Sequence, residues 1–351
     1  MNEIKKSFQN KIVLITGGTG SIGKEIVKEM LKYEPKLVRI LSNDEASLFD
    51  LQQELEKFKN VRYLIGDIRQ KNRLNVAMEG VDYVFHAAAL KHVPLCEYNP
   101  FEAVNTNVLG SQNVVEAAME NNVKKCICIS TDKAVTPTSV LGATKLLAER
   151  LFIVANYYKG WKDTTFSVIR FGNVLNSRGS IIPVIKRQIE NGGPITITQP
   201  EMTRFVMTMP QATNLVFKAA VKSIGGEIFV FKMLALKIMD LIDVMIEELA
   251  PKYGYDPEKM EKKIVGTRLG EKSDEELIIK NELEWLYEDN KMFVILMPVE
   301  RPDDIFRPEI KGMKKAKTLG DSDDLNRYSS NNAKLLNKKE IRELLHSIKV
   351  F

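Results

Sequence analysis

The sequence has little cysteine, and its three thiols do not fit a disulfide framework. Cys126 and Cys128 alternate with isoleucines, so both are expected to face one side of a strand. Cys96 stands alone, and a metal site would need further ligands near the pair, which the sequence does not offer. We therefore expect three buried free thiols in a reducing cytoplasm and no bound metal.

Long apolar runs and a strong net charge are also missing. No apolar run reaches the roughly 18 residues of a membrane span, and the N-terminal MNEIKKSFQN has no signal-peptide h-region. The net charge is +5 over 351 residues, whereas a nucleic-acid-binding protein usually gathers far more basic charge on one face. These absences favour a soluble cytoplasmic protein with a small anionic substrate and with neither membrane nor nucleic-acid partners.

A glycine-rich turn between a strand and a helix is the strongest local pattern. The apolar run at 11–16 is typical of a buried parallel strand, and the apolar residues after the turn recur with helical period. Glycines at such a turn let the backbone approach a pyrophosphate, and the helix N-terminus supplies amide donors. The residues predicted to contact a dinucleotide here are Thr16, Gly17, Gly20, Ser21, Ile22 and Gly23.

Strands and helical segments alternate through the first half of the chain. Further strands are predicted at 37–42, 61–67, 81–89, 123–131 and 166–174. The alternation predicts an α/β fold with a Rossmann-type doubly wound parallel sheet (1–175) and a smaller C-terminal α/β lobe that binds the substrate (176–351). A segment at about 204–235 is expected to return to the sheet.

Ligands of such sheets bind at the carboxyl ends of the strands. Asp67 ends the third strand, where a carboxylate can meet the adenine, and three alanines after the fourth strand leave room for a cofactor. The further residues predicted to line the cofactor site are Ser42, Asn43, Ile68, Ala87, Ala88, Ala89, Lys91 and Asn107.

The end of the second strand bears on the choice of cofactor. NAD enzymes usually place an acid there for the ribose 2′-hydroxyl, but the stretch Ser42-Asn43-Asp44-Glu45 begins with a small hydroxyl. This arrangement permits a 2′-phosphate, yet it offers no arginine to hold one. NADP and NAD both stay open, with NADP slightly favoured.

Thr131, Asp132 and Lys133 directly follow the fifth strand. An acid and a base side by side at a strand end can exchange protons with two neighbouring carbons of one sugar. A lysine beside a carboxylate normally stays protonated, but desolvation and a cationic cofactor would lower its pKa. The alternative is a solvent-facing ion pair that caps a loop.

The motifs of the chain are, in order, TGGTGSIG, HAAALKHVPLCEYNP, NTNVLGSQNV, STDKAV-PT, GATK, RFGNVLNSRGS, MTRFVMT, GGEIFV and RLGEK. Together they resemble the extended short-chain dehydrogenases/reductases of polysaccharide biosynthesis and, more narrowly, the UDP-N-acetylglucosamine 4,6-dehydratases. The resemblance covers about 11–272, with a weaker echo at 327–332.

The resemblance implies a homo-oligomeric enzyme that dehydrates UDP-N-acetylglucosamine with tightly bound NAD(P). A hydride leaves sugar C4, the new ketone acidifies the C5 proton, the 6-hydroxyl departs, and the hydride returns to C6. By analogy Asp132 is the acid at the 6-hydroxyl, Lys133 is the base at C5, and Thr131 lies near the 4-hydroxyl. Lys145 would hold the nicotinamide ribose; the alternative is an ordinary solvated helix lysine.

Leu141 departs from the pattern of the family. Members that invert C5 have a tyrosine at this position to take the 4-hydroxyl proton, whereas a second branch has methionine and remains active, with C5 retention in some members. Leucine is close to methionine in size and equally unable to accept a proton. We therefore expect that the base has moved to Asp132, Thr131 or an ordered water, and that C5 retention is favoured.

The second half supplies candidate contacts to the sugar nucleotide. Arg204 and Arg268 lie in family motifs, and an arginine fork matches phosphate oxygens bidentately. Glu271 would accept hydrogen bonds from the uridine ribose. Lys91 and His92 could line the sugar pocket, although His92 could equally be structural. The set is completed by Asn173, Arg178, Lys186 and Thr198, of which the first three otherwise belong to an exposed loop and helix.

Two other functions stay open. A UDP-sugar 4-epimerase shares the fold and the first hydride transfer but needs no acid at C6, so Asp132 and Lys133 argue against it. A non-catalytic dinucleotide sensor would have no reason to keep this pair together with Lys145 and the two arginines.

Overall fold

The computed structural model describes residues 2–296, 312–316 and 327–351. The strands are β1 (Ile12–Thr16), β2 (Leu37–Ser42), β3 (Val61–Ile65), β4 (Tyr83–His86), β5 (Lys125–Ile129), β6 (Thr165–Arg170), β7 (Asn173–Val174), β8 (Ile195–Ile197), β9 (Thr203–Met207), β10 (Ile228–Phe231), β11 (Leu234–Lys237), β12 (Lys262–Ile264), β13 (Glu276–Ile278), β14 (Leu286–Glu288), β15 (Met292–Ile295), β16 (Lys314–Lys315) and β17 (Tyr328–Ser329).

The helices are α1 (Asn2–Phe8), α2 (Ser21–Leu31), α3 (Glu45–Glu54), α4 (Lys71–Met78), α5 (Val93–Tyr98), α6 (Pro100–Ala103), α7 (Gly110–Glu120), α8 (Val140–Tyr158), α9 (Ile181–Glu190), α10 (Met209–Lys222), α11 (Ile238–Leu249) and α12 (Lys338–Ser347). A π-helical turn spans Val104–Leu109, and 3-10 turns span Asp132–Ala134, Ala250–Tyr253, Pro257–Lys259 and Lys280–Trp285.

A ten-stranded sheet forms the main layer, in the order β16-β14-β15-β10-β6-β5-β4-β1-β2-β3. The strands from β10 to β3 in this order are parallel to one another. Parallel neighbours need crossover connections, which the helices between them supply. Burial on both faces explains why these strands are rich in valine and isoleucine. The predicted Rossmann-type doubly wound fold is confirmed.

Part of the second half of the chain also belongs to this sheet. β10 pairs with β6 in parallel, with Ile228 opposite Val168. β15, β14 and β16 continue the same edge as antiparallel strands. The division at 175 stays a prediction, and we infer from these pairings that the first lobe includes β10, β14, β15 and β16. Of the segment expected to return at about 204–235, β10 joins the main sheet, whereas β9 and β11 belong to a separate one.

A second apolar core lies outside the main sheet. It joins α9, α11 and α12 through buried side chains such as Ile189, Leu241 and Ile341. The small sheets β11-β9-β7 and β12-β8 contribute buried side chains to it, whereas the pair β13-β17 packs on the core of the main sheet. The chain enters this lobe after β6, where β7 pairs with β9 in the three-stranded sheet.

The predicted sixth strand at 166–174 is in fact two strands. β6 ends at Arg170, and β7 pairs with β9 in the three-stranded sheet. Between them the Phe171 carbonyl accepts a hydrogen bond from the Asp132 amide at 3.1 Å. That bond extends the β5–β6 pairing up to the predicted catalytic turn, and the chain leaves the main sheet after it.

The cysteines agree with the prediction, since Cys96, Cys126 and Cys128 are buried and free. Over residues 2–296, 312–316 and 327–351, the helices include none that is both long and apolar enough to cross a membrane. The same ranges hold no group of three or more His, Cys, Asp or Glu residues arranged to bind a metal ion.

Candidate active site

The glycine-rich turn packs directly on the end of β4. Gly17 has φ +65°, and a Cβ on it would lie 2.6 Å from the Cα of Ala88. Only glycine combines this backbone conformation with such a close approach. α2 then begins after Gly20, with no acidic residue in its first turn and no side chain capping its amides. These amides are therefore free to bind phosphate oxygens, which makes the turn a fitting cradle for a dinucleotide.

The predicted cofactor residues of β1, α2 and β4 are brought together at this turn. The Thr16 carbonyl accepts from the Ala87 amide at 3.1 Å. The Thr16 hydroxyl lies 2.8 Å from Nδ1 of His86, a buried residue of β4. Burial is the main cause that lowers the pKa of His86 to about 3, so this histidine is neutral. The predicted residues on these segments are Thr16, Gly17, Gly20, Ser21, Ile22, Gly23, Ala87, Ala88 and Ala89.

The ends of β2 and β3 meet at the predicted adenine end. The Ser42 hydroxyl lies 2.8 Å from that of Thr19, and Asn43 Nδ2 donates to Asp67 Oδ2 at 3.3 Å. Hydrogen bonds from Arg69 hold the pKa of Asp67 below its usual value. Ile68 is buried nearby. A cavity of about 400 Å³ opens here, lined by Asp67, Arg69, Gln70, Asn105, Leu109 and Asn113.

The loop after β7 lies across the glycine-rich turn. The Arg178 amide donates to the Ser21 hydroxyl at 3.0 Å, and Lys91 Nζ donates to the Arg178 carbonyl at 2.6 Å. The His92 ring lies against Gly179. Hydrogen bonds from Ser47 are the main cause that lowers the pKa of Asp44, and the charge of Arg178 adds to it. The sequence offered no arginine near the end of β2; the fold brings Arg178 there from a distant segment.

The predicted catalytic turn is buried at the end of β5. Asp132 is fully buried. Its Oδ1 accepts from the Thr131 hydroxyl at 2.8 Å and from Lys133 Nζ at 3.0 Å. Asp132 Oδ2 is buried and has no hydrogen-bond partner among the described residues. The alternative of a solvent-facing ion pair therefore does not hold.

Glu275 is a member of this cluster that sequence reasoning missed. Its Oε1 lies 3.2 Å from Lys133 Nζ, and its side chain is 3% exposed. Ser330 holds its backbone, since the Glu275 amide donates to the Ser330 hydroxyl at 3.0 Å. The resemblance ended at 272, three residues short of Glu275. Its weaker echo at 327–332 was the available signal, because that segment contains Ser330.

Lys145 is buried on α8 rather than solvated. Its Nζ donates to the Ile129 carbonyl, the last residue of β5, at 2.7 Å. The first turn of α8 touches the catalytic turn, since a Cβ on Gly142 would lie 2.2 Å from the Lys133 carbonyl oxygen. Asn107 is also buried, and its side-chain amide hydrogen-bonds the backbone of Leu90 and the hydroxyl of Thr144. It positions the end of β4 beside α8 rather than reaching out to a ligand.

Leu141 packs in a small apolar cluster of its own. It is 4% exposed and shares this cluster with Cys96 and Ala103, below α5 and α6. The position of the tyrosine in other members is thus filled by aliphatic packing.

A buried ion network lies beneath the catalytic turn. Arg170, at the end of β6, binds both oxygens of Glu149 on α8, at 3.1 and 2.7 Å. Its other side binds Glu282 at 3.1 Å. Ser130, which precedes Thr131, donates to Glu149 at 2.6 Å. The network ties β5, β6 and α8 together, so the turn that carries Asp132 and Lys133 has a rigid base.

The two predicted phosphate arginines differ in their surroundings. Arg204 is buried, and its guanidinium donates to the carbonyls of Thr203, Lys272 and Ser273 at 2.7–3.1 Å. It therefore organises the loop at 268–275, and its predicted contact with a diphosphate stays a prediction. Arg268 is exposed at the tip of that loop, and its amide donates to Glu271 at 3.3 Å.

The remaining predicted substrate residues lie farther out. Asn173 is half-buried in β7, Lys186 lies on α9, and Thr198 follows β8. Thr198 donates to the Met202 sulfur at 3.7 Å. Within the described ranges, no hydrogen bond or ion pair joins these side chains to the cluster of Asp132 and Lys133. Their roles as substrate contacts stay predictions.

The sheet order, the glycine-rich turn and the buried turn after β5 define an extended short-chain dehydrogenase/reductase fold. Within that class, the chain belongs to the polysaccharide biosynthesis protein family, whose model matches residues 13–297. The solved structure of Pen from Bacillus thuringiensis is similar throughout, with 44% identity and a TM-score of 0.88, covering 97% of this chain and 98% of that one.

Curated relatives match over nearly their full length. A protein of Methanocaldococcus jannaschii described as an uncharacterized membrane protein is 55% identical over 346 residues, 99% of this chain and 98% of its own. The UDP-N-acetylglucosamine 4,6-dehydratase (inverting) of Campylobacter jejuni is 40% identical over 348 residues, 98% of this chain and 100% of its own. A UDP-glucose 4-epimerase of Rickettsia canadensis is 39% identical over 343 residues, 96% of each chain.

Proposed function

We propose that this chain is an NAD(P)-dependent UDP-N-acetylglucosamine 4,6-dehydratase that forms a UDP-4-keto-6-deoxy sugar. The observation that carries the proposal is the buried contact of Asp132 with Thr131 and Lys133 at the end of β5. An acid and a base on one turn serve the loss of the 6-hydroxyl and of the C5 proton. The Campylobacter relative of that name supports the choice of reaction.

The cofactor cradle fits NAD(P), because Gly17 and the uncapped N-terminus of α2 leave room and amide donors for a pyrophosphate. Bound NAD(P) would supply the hydride acceptor at C4 and the hydride donor at C6. Ser42 and Arg178 leave NADP slightly favoured, since an arginine is the usual partner of a 2′-phosphate.

The side chains of the catalytic turn can handle the protons of the reaction in sequence. The hydroxyl of Thr131 bonds Asp132, so it can pass the 4-hydroxyl proton to that carboxylate. Asp132 then gives this proton to the departing 6-hydroxyl, which leaves as water. Lys133 removes the C5 proton and later returns it. No proton passes through Leu141, which agrees with its aliphatic surroundings.

Retention of the C5 configuration is favoured by Leu141, since a tyrosine marks the inverting members that the chain otherwise resembles. The 40% identical relative is named as inverting, and the NMR experiment below distinguishes the two outcomes.

A UDP-sugar 4-epimerase is the alternative enzyme, and relatives with that name exist at 39% identity. Epimerisation at C4 requires no proton donor for a leaving 6-hydroxyl. The buried Asp132–Lys133 pair is therefore better explained by dehydration. A non-catalytic sensor would not explain why these charges are buried. Burial of an ion pair costs stability, and a sensor would gain nothing from it.

The test is an NMR time course with UDP-N-acetylglucosamine in deuterated water. A dehydratase gives a 6-methyl signal with deuterium at C5, and the nuclear Overhauser contacts of the C5 group in normal water report its configuration. An epimerase gives the C4 epimer without a methyl signal. An unchanged spectrum with bound cofactor would leave only the sensor.

A further inference from the structure

Glu275 has no task in the mechanism above, although it is buried in the same cluster. The backbone of Glu275 is fixed by Ser330 through two bonds, at 3.0 and 2.8 Å. Its Oε1 faces Lys133 Nζ at 3.2 Å. Its Oε2 is buried and has no hydrogen-bond partner in the described part of the chain. An ionised carboxylate with an unpaired buried oxygen is costly, so the Glu275 carboxylate, which pairs with Lys133, readily accepts a proton from it.

One lysine lies between two carboxylates in this cluster. Lys133 Nζ is 3.0 Å from Asp132 and 3.2 Å from Glu275. The other charged neighbours are Arg204, 3.9 Å from Glu275, and Glu271, 3.7 Å from Arg204. Asp132 and Glu275 share the one ammonium of Lys133, so a proton that leaves Lys133 has an adjacent carboxylate to receive it and the titrations of the three groups are coupled.

The charges around Lys133 set a difficulty for its role as a base. Burial lowers the pKa of Lys133, but Asp132 and Glu275 outweigh it and leave this pKa raised. The pKa of Glu275 is raised, mainly by burial. The positive charges of Lys133 and Arg204 act in the opposite direction and lower it. Lys133 is thus protonated in the free protein, yet it must be neutral to remove the C5 proton.

We propose that Glu275 holds the proton of Lys133 while Lys133 acts as the base. This inference rests on the proposed dehydratase function. The proton moves from Nζ to Oε1, which leaves a neutral amine and a neutral carboxylic acid and keeps the charge of the cluster unchanged. Exclusion of water by a bound sugar favours the neutral pair over the ion pair.

The proton balance closes over the cycle. Asp132 receives the 4-hydroxyl proton through Thr131 and gives it to the leaving 6-hydroxyl. Lys133 takes the C5 proton, returns it to C5, and then regains its own proton from Glu275. Each group ends as it began, with no tyrosine at position 141. Glu275 acts through Lys133 and is a positioning residue for a proton rather than a group that touches the sugar.

The test compares Glu275→Gln with Glu276→Gln in the full-length enzyme with bound cofactor. Glu276 is the next residue in the chain, and its carboxylate instead accepts from Arg327 at 3.1 Å. The wild-type enzyme and the control should show a kcat that is flat around neutral pH, because the Lys133 proton is stored internally. In Glu275→Gln the amine forms only by loss of a proton to solvent, so log kcat should rise by about one per pH unit. At pH 7 its kcat should be lower by ~10²-fold, the usual effect of disabling a general base.

Two further readouts separate this role from a structural one. The KM for UDP-N-acetylglucosamine should stay within about threefold of wild type, since ~10-fold effects mark lost charged hydrogen bonds to substrate. Reduced nicotinamide absorbance should still develop in a single turnover, because the 4-hydroxyl proton goes to Asp132, while deuterium exchange at C5 should slow with kcat. A loss of kcat that is equal at all pH values, or that slows both steps alike, would overturn the proposal.

A second variant and a second measurement keep the proposal testable if Glu275→Gln folds poorly or if the wild-type protein has another activity. Glu275→Asp keeps an acid and should keep the flat pH profile; a rising profile there also overturns the proposal. A wild-type protein that does not dehydrate UDP-N-acetylglucosamine overturns the proposed function instead. In that case acylation of Lys133 by acetic anhydride, followed by mass spectrometry against pH, decides the role of Glu275. The midpoint should lie lower in Glu275→Gln, and equal midpoints would refute a shared proton.

Discussion

Lys133 is the residue on which the proposed elimination depends. Its amine lies between Asp132 and Glu275 with 26% of its side chain exposed, so a sugar can reach it. Lys133→Met keeps the aliphatic stem and should lower dehydration by ~10²–10⁴-fold. UDP binding, followed by calorimetry, should change little.

Lys124→Met is the matched control, because Lys124 precedes β5 and pairs with Asp82 at the surface. It should leave turnover unchanged. Turnover near the wild-type value in Lys133→Met would remove Lys133 from the mechanism.

Leu141 permits a direct test of whether the site lacks a base or has moved it. Leu141→Ala should keep substantial activity, because no proton passes through the side chain. Leu141→Tyr must fit a phenol against Cys96 and Ala103, and overpacking typically costs about 1–3 kcal/mol. We expect a lower thermal midpoint and no gain in kcat. A tenfold acceleration would show that the wild-type site had been waiting for its tyrosine.

Sequence reasoning at this scale found neighbours along the chain and missed neighbours in space. Asp132 and Lys133 are adjacent, so their chemistry is visible in the sequence. Glu275 and Arg178 reach their sites only because distant loops fold over the strand ends. The sequence predicted Arg204 as a phosphate contact but gave no sign that its guanidinium would donate hydrogen bonds to loop carbonyls.

At the scale of elements, the two arginines that belong to or contact the loop at 268–275 are expected to have different functions. Arg268→Ala removes an exposed guanidinium predicted to bind diphosphate. A charged hydrogen bond contributes about 1.5–3 kcal/mol, so KM should rise by roughly tenfold or more with kcat retained.

Arg204→Ala should instead release the carbonyls of Lys272 and Ser273, which orient the loop that leads to Glu275. We expect a lower kcat and a free energy of unfolding reduced by about 1–3 kcal/mol for the unpaired carbonyls. Steady-state kinetics and urea unfolding report both. An effect confined to KM would return Arg204 to the diphosphate.

The contact of β1, β4 and α7 has a pH dependence that can be measured. His86 bonds Thr16 and Ser111, and its pKa is lowered to about 3. The unfolded chain binds a proton near pH 6.5 and the folded one does not, so this contact loses stability as pH falls from about 6 to 4.

The free energy of unfolding should decrease by about 1.4 kcal/mol per pH unit in that window through His86 alone. His86→Gln should lack this component when unfolded by urea at a series of pH values. His346→Gln, an exposed residue of α12, should keep it. Parallel curves for wild type and His86→Gln would contradict the assignment.

Elements of the first half were predictable because burial on both faces leaves a continuous apolar signal. β14 and β16 were not, since they are short and lie at the outer edge of the sheet, where half-exposed or exposed residues suffice. The break between β6 and β7 was hidden for another reason. The apolar pattern runs through it, and the break shows only as a change of partner strand, since β7 pairs with β9.

At the scale of the whole molecule, the expected homo-oligomer points to one face. α8 contacts α5 and α6, and these helices present large apolar side chains that are more than half exposed, namely Leu95, Tyr98, Phe101, Leu147 and Tyr158. Large exposed apolar side chains on neighbouring helices are typical of an interface. Pairing of α8 with its own copy about a twofold axis would bury them.

Leu147→Glu should therefore yield monomers in analytical ultracentrifugation, because it places a charge at the centre of that face. Val76→Glu is the control, since Val76 is an equally exposed apolar residue on α4. It should leave the sedimentation of the protein unchanged. A wild-type protein that sediments as a monomer would contradict both the prediction and the assigned face.

The Arg170 network has a consequence for folding during synthesis of the chain on the ribosome. Arg170 and Glu282 are 112 residues apart, so on a ribosome that adds 5–20 residues per second the arginine waits roughly 6–22 s for its second carboxylate. Until then only Glu149 bonds the guanidinium, although β10 has already been synthesised to pair with β6. During this interval the nucleotide-binding turn has been synthesised, but the ion network beneath the catalytic turn is incomplete. Synthesis of the last third of the chain, which contains Glu282, completes that network.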